Sequence, residues 1–290
     1  MDAALLALVL STLRLATPLC LAAMGELVAE RAGVLNIGIE GMMLAGAYAA
    51  FVAALVSGSA TVGCSAGAAA GVALACVFAF FVVERRADPI VCGAALNILA
   101  LGITGTLSRR FEILSFETPR VPDLLPGLNL FLLGSLLLIP SLALVLYRTR
   151  LGLHLRACGE RAEAAHVQGI RVRRVRWGAT LFGGACAGLA GASLVLWISD
   201  VFVEGMTSGR GFIALALVLF GAYRVWRIAF GALLFGFASA FQFRLQASGF
   251  PLSHDLLLML PYLLTLLVLA FSSGRGTAPA DLARPFVARD

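Results

Sequence analysis

Residues 21–48 read LAAMGELVAERAGVLNIGIEGMMLAGAY. Apolar sequence enters and leaves this stretch, yet it holds Glu26, Glu30, Arg31, Asn36 and Glu40, with glycine at 25, 33, 38, 41 and 46. Charge and backbone breaks between two long hydrophobic runs mark an elbow where the chain turns from one membrane span into the next. Glu26 and Glu30 lie one helical turn apart and Arg31 pairs with acidic neighbours, as expected of a polar turn at the membrane edge. Asn36 and Glu40 fall four residues apart, which on a continuous helix is one face inside the second span. Polar groups at that depth face the bundle interior or a water-filled cavity. They are expected near the translocation path, supporting a gate or a helix contact.

The rest of the chain agrees. Of its 290 residues 60% are hydrophobic and 13% charged, and mean hydropathy is +0.95. Soluble domains are nearer 25% charged, so this chain has too little polar surface to cover a water-facing globule. The expected fold is an all-α polytopic membrane protein forming a single transmembrane domain over residues 1–290. A span needs about 20 mostly apolar residues. That ruler marks about nine candidates, at 3–24, 34–57, 61–83, 90–107, 128–147, 178–199, 211–223, 228–245 and 256–271; the seventh is short. No basic region precedes the first run, so it is expected to remain as a span rather than be cleaved.

The net charge is +6, and all 22 basic residues are arginine. They cluster between hydrophobic runs, a distribution explained by the positive-inside rule rather than by nucleic acid. The densest cluster, 148–176, is therefore placed in the cytoplasm. Counting spans from it puts Arg31, Arg85, Arg86, Arg224, Arg227 and a C-terminal tail at 272–290 on the same side, and Asp200 and Glu204 outside. Arg109, Arg110 and Arg120 violate this scheme, which places them on an external surface that docks a partner or marks a miscount there. Arg14, inside the first span, must face protein or snorkel. Small residues spaced four apart, at Gly63, Gly67 and Gly71 and at Gly184 and Gly188, allow close helix approach. A faint internal echo links NIGIEGMMLAGAYAA from Asn36 with GFIALALVLFGAYRV from Gly211.

Several chemistries are excluded. A nucleotide-hydrolysing P-loop requires lysine, and the chain has none. HExxH is missing too. The six cysteines form no CxxC pair and read as small apolar residues. His154 and His166 are twelve apart among arginines, too far for ordinary zinc spacing. No catalytic residue, metal or cofactor is expected.

Within the arginine-rich segment, RTRLGLHLRACGERAEAAHVQGIRVRRVRW, Gly159-Glu160 opens an alanine-rich run and Gly169 closes it. Early glutamates suit a helix N-terminus and glycine suits its C-cap, so a short cytoplasmic helix is expected at 160–168. Ala162, Ala164, Ala165 and Val167 would form a low face fit for a groove on another protein.

These residues carry a family resemblance. Gly152, Leu155-Arg156-Ala157, Gly159-Glu160, Ala164-Ala165, Gly169-Ile170, the arginines to Arg176 and the helix GGACAGLAGA follow the coupling-loop pattern of ABC importer permeases. The match is to the superfamily of branched-chain amino acid, simple-sugar and nucleoside permeases. GELVAERAGVLNIGIEGMMLAGA, GRGFIALALVLFGA and LPYLLTLLVLA resemble its nucleoside-type branch. AYRVWRIAFGALLFG departs from the pattern by carrying arginines at a turn, and SRRFEILSFETPRVPD does not align.

The resemblance implies a type II-like permease bundle with a cytoplasmic coupling helix in the multi-pass bacterial inner membrane. Arg156, Ala157, Gly159, Glu160, Ala164, Ala165 and Gly169 would couple it to an ABC ATPase. A second permease subunit, paralogue or self, would complete the path, and an extracytoplasmic binding protein or lipoprotein would deliver cargo. The cargo would be a nucleoside, a simple sugar or a flavin. Asn36, Glu40 and Asn97 are the candidates for the translocation path or gate, Asn97 as an interhelical hydrogen bond or a cargo ligand. The competing class is an ion-coupled secondary transporter using Glu40 without an ATPase.

Overall fold

The computed structural model describes residues 3–110, 119–121, 123–125, 128–248, 259, 263 and 278–286. Among these residues, ten α-helices run in the order α1 (Ala3–Arg31), α2 (Ile39–Ser57), α3 (Ala60–Ala79), α4 (Pro89–Arg110), α5 (Leu130–Arg148), α6 (Arg150–Glu160), α7 (Ala162–Val167), α8 (Val172–Ser193), α9 (Arg210–Phe220) and α10 (Val225–Ala247). Helices α3 and α8 each continue into a π-helical stretch, Phe80–Glu84 and Leu194–Ser199. Among the described residues, seven helices are long and apolar enough to cross a membrane, and α9 is a shorter apolar helix. The ninth expected span, 256–271, lies outside the described residues, apart from two isolated helical positions. A short antiparallel strand pair, Asp123–Leu125 with Leu128–Asn129, is the one departure from all-α structure among them.

Helix α8 is the hub, packed on α1, α2 and α3. Lipid supplies no hydrophobic drive between helices, so close backbone approach must hold them. Glycine provides it. A Cβ at Gly71 would strike the Gly184 carbonyl, one at Gly188 the Gly67 carbonyl, and one at Gly191 the Met43 carbonyl. At Gly67 it would lie 2.9 Å from the Gly46 carbonyl oxygen. The small-residue stripes of α3 and α8 therefore face each other. Other large apolar side chains turn outward, with Ile98 72% and Leu137 69% exposed, a surface suited to lipid.

Helix α1 spans 29 residues, or ~43 Å at 1.5 Å per residue, longer than the ~30 Å hydrocarbon core. It ends in a paired glycine cap. Gly33 takes φ +89°, its N–H donates to the Glu30 carbonyl, and the Val34 N–H donates to the Ala29 carbonyl, so the last carbonyls of α1 are satisfied. The chain then returns non-helically through residues 34–38 before α2 starts at Ile39. The second span is thus shorter than the expected 34–57. Asn36 precedes the helix, so Asn36 and Glu40 do not share a helical face.

Helix α9 has only 11 residues, ~16 Å or about half the core. It ends at a tight turn where Ala222 and Tyr223 both adopt left-handed backbone, φ +50° and +59°. Arg31 holds this turn by donating to the Tyr223 carbonyl at 2.7 Å and 3.2 Å, with its guanidinium over the Tyr223 ring. The arginine-flanked turn that departs from the family pattern is therefore clamped from α1. The two Gly-Ala-Tyr copies have different surroundings, Tyr48 midway along α2 against Phe202 and Tyr223 in the turn after α9 against Arg31.

The arginine count also resolves spatially. Arg31, Glu84, Arg148, α6, α7, the start of α8, Tyr223 and residues 278–286 gather at one end, which the positive-inside rule makes cytoplasmic. At the other end two of the exceptional arginines are ion-paired with the acidic loop. Arg109 bonds Glu204 through two contacts of 2.7 Å, and Arg120 pairs with Asp200. Arg109 thereby holds the Glu204 carboxyl below its ordinary range. Arg14 donates to the carbonyls of Trp197 and Ile198 and lies over the Trp197 ring, facing protein as expected.

Candidate functional site

Two linked regions carry the polar residues. The first is the broken backbone between α1 and α2. Inside a bilayer each free N–H or C=O must find a protein partner. Residues 34–38 form no helix, and side chains supply bonds that the backbone leaves open. The Asn36 N–H donates to Glu26 Oε1 at 2.9 Å. Asn97 of α4 brackets the start of α2, its Nδ2 donating to the Ile37 carbonyl at 2.9 Å and its Oδ1 accepting from the Gly41 N–H at 2.8 Å. Gly41 must be glycine here, since a Cβ would sit 2.9 Å from the Leu96 carbonyl oxygen.

Glu40 faces the other way, to the N-terminus of α9. Its Oε1 accepts from the Gly209 N–H at 2.8 Å and its Oε2 from the Gly211 N–H at 2.6 Å. A carboxylate is the best partner for free N–H groups at a helix start, where the dipole is positive. Glu40 therefore joins the start of α2, which is long enough to span, to the start of α9, which reaches only about halfway through the core. Asn36 is fully buried, with its Nδ2 3.4 Å from the Met42 sulfur. The polar turn expected at Glu26 and Glu30 is corrected: these residues are 0% and 2% exposed. The glycine cap folds the return segment over them, and water no longer reaches them.

The second region is the cytoplasmic platform. One helix was expected at 160–168; two form, α6 and α7, broken at Arg161. Gly169 closes α7 at φ +83°, with its N–H on the His166 carbonyl and the Ile170 N–H on the Ala165 carbonyl. The expected low face is corrected in part. Ala162 and Ala165 turn inward, packing with Cys158, Val172 and Phe286, whereas Glu160, Ala164, Val167 and Gly169 are exposed. Gly159 is buried too, pressed on the Arg31 carbonyl where a Cβ would not fit. Arg156 and Ala157 are half-buried, and Arg156 Nε donates to the Gly152 carbonyl at 3.3 Å. The coupling residues named from sequence thus divide into an outward set and an inward set.

Sequence reasoning missed what joins the regions. Arg176, 4% exposed, donates from Nε to the Ala32 carbonyl at 3.2 Å and from Nη1 to the Arg284 carbonyl at 2.8 Å. The Ala283 N–H donates to the Gly33 carbonyl at 3.1 Å. Residues 31–33 are therefore gripped by Arg176, Gly159, Tyr223 and the tail together. In sequence Arg176 was merely the last of an arginine run, and nothing marked its burial.

The structure is a multi-span helical bundle with a broken centre and a short helix at its arginine-rich end. The chain belongs to the branched-chain amino acid transport system / permease component family, whose model matches residues 8–269. It is 40% identical over 263 residues to the putative glucose ABC transporter permease protein TsgC13 of Haloferax volcanii, covering 84% of this chain and 79% of that one. It is 33% identical to the guanosine ABC transporter permease protein NupQ of Bacillus subtilis, covering 96% and 95%. It is also 33% identical to the nucleoside ABC transporter permease protein NupC of Lactococcus lactis, covering 91% of each. No solved structure matches the chain. The protein is a multi-pass inner-membrane permease subunit of an ABC importer; ATP hydrolysis belongs to a separate subunit, and the family works with ATPase and binding-protein partners. The ion-coupled alternative finds no support.

Proposed function

We propose that this subunit carries a nucleoside-type solute, and that α7 drives its gate from below through the elbow at residues 31–33. The carrying observation is the unbroken set of contacts from the platform to the centre. Gly159 presses on Arg31, Arg176 and Ala283 hold Ala32 and Gly33, and Glu26 and Asn97 hold the return segment that leads into Glu40. A shift of α7 moves the elbow, and the elbow moves the α2–α9 junction. Coupling between distant sites needs a packed path of this kind. The path for solute is completed by a second permease subunit, a copy or a paralogue. Glu160, Ala164, Val167 and Gly169 are the residues offered to the ATPase.

The nucleoside assignment rests on the near-complete coverage of NupQ and NupC. A simple sugar is the second reading, favoured by the higher identity to TsgC13. The test is co-purification of the tagged chain with an ABC ATPase subunit, followed by uptake of guanosine and of glucose by the assembled importer. Ala164→Arg or Glu160→Arg is expected to abolish ATPase retention, and guanosine to be taken up in preference to glucose. Retention unaffected by both substitutions would overturn the docking role, and uptake of glucose alone would overturn the cargo.

A further inference from the structure

The C-terminal residues 278–286 do not trail from the bundle; they are strapped across its cytoplasmic end. Asp281 touches two parts of the platform. Its backbone N–H donates to the Gly159 carbonyl at 2.8 Å, and its Oδ2 accepts from the Ala162 N–H at 2.7 Å. Ala162 opens α7, and Arg161, which precedes it, makes no side-chain cap. The strap therefore provides the cap that the helix lacks locally. Two residues on, Ala283 bonds the elbow at Gly33, and Arg284 accepts from Arg176. At the far end Phe286 is buried against Cys158, Ala162, Ala165 and Val172, with its ring 5.4 Å from that of His166.

We infer that this strap is part of the ATPase-docking platform, with Asp281 a positioning residue that sets the pose of α7. The inference rests on the docking role of α7. A six-residue helix is too short to hold its own geometry, since nucleation is unfavourable and most helical stability comes from packing. Its pose is supplied from outside, by a cap at its N-terminus and an apolar wall under Ala162 and Ala165, and the strap contributes to both. The strap also bonds the elbow directly, so helix and elbow are held by one continuous piece of chain. Sequence alone placed this tail in the cytoplasm and assigned it nothing.

The test uses the full chain in nanodiscs and measures the dissociation constant of the ATPase subunit. Asp281→Ala removes the cap acceptor and is expected to weaken binding about fivefold, the scale of one lost helix cap. Asp281→Asn keeps an acceptor oxygen and is expected to restore near-native binding. Rescue of that kind separates positioning from general stability. Phe286→Ala removes the wall without touching the cap and is expected to weaken binding in the same direction; it decides the matter should Asp281→Ala fail to accumulate. Native binding by Asp281→Ala and Phe286→Ala, alongside loss of binding by Ala164→Arg, would overturn the strap inference and leave docking intact. Equal weakening by the alanine and asparagine variants would overturn the capping role. A native chain that binds no ATPase would overturn the docking reading, and this inference with it.

Discussion

Replacing Glu40 tests the centre of the protein most directly. Its carboxylate accepts two backbone N–H groups at the start of α9, at 2.8 Å and 2.6 Å. Glu40→Ala strands both donors. An unsatisfied buried donor costs about 1–3 kcal/mol, and the site is half-buried, so about 2–4 kcal/mol is expected for the pair. Glu40→Gln keeps one acceptor oxygen and gives up the charge, and about 1–2 kcal/mol is expected. At about 2–4 °C per kcal/mol for a structure of this size, the alanine variant should melt roughly 5–15 °C below native and the glutamine variant at roughly half that displacement. The assay is thermal unfolding of the purified chain in detergent, followed by solute uptake by the assembled importer. Uptake should fall with the same ranking, because an unanchored α9 start loosens the junction that α2 shares. An alanine variant that melts within about 1 °C of native and transports normally would refute the argument that Glu40 holds the starts of α2 and α9 together.

Gly71→Val drives a side chain into the Gly184 carbonyl and should cost about 1–3 kcal/mol or more from overpacking, seen as reduced membrane accumulation. Gly102→Ala, with open space around its Cβ, should accumulate normally. Asn97→Leu leaves both the Ile37 carbonyl and the Gly41 N–H without a partner, whereas Asn97→Asp keeps the acceptor for Gly41; melting temperatures should rank native, Asp, Leu. Burial pushes the Cys158 thiol up to about 11, so at pH 8 only about one thiol in a thousand is ionised. Alkylation mapped by mass spectrometry should be slow in the native protein and fast after denaturation. The neutral buried thiol favours the folded platform fully below its unfolded value near 9, and that contribution fades as pH rises from about 9 to 11. Equal labelling of native and denatured chains at pH 8 would contradict the burial.

Much of the architecture was legible because its cause is one-dimensional. A bilayer demands long apolar runs, and the positions of α1, α3, α4, α5, α8 and α10 follow the hydropathy to within a few residues at most ends. The arginines sorted the loops to one side, and Gly169 marked the end of α7. The failures have a common cause. Residues 34–38 were counted into a span because their hydropathy matches a helix, and the glycine cap that turns them back is invisible to a hydropathy window. Glu26 and Glu30 looked like a wet turn because their burial depends on a segment folding over them. Arg109 and Arg120 looked like violations because Glu204 and Asp200, their partners, lie some 80 to 95 residues away.

Hydropathy, arginine placement and glycine spacing were enough to dictate a multi-span helical bundle and a short helix in the arginine-rich segment, because solvent and helix geometry act locally along the chain. Tertiary structure alone decided that Glu40 caps α9, that Asn97 brackets the start of α2, that Arg176 is buried at the elbow and that Asp281 caps α7. Each of these bonds satisfies a backbone group freed where a helix stops. Which distant side chain arrives to satisfy it is settled only when the whole chain packs.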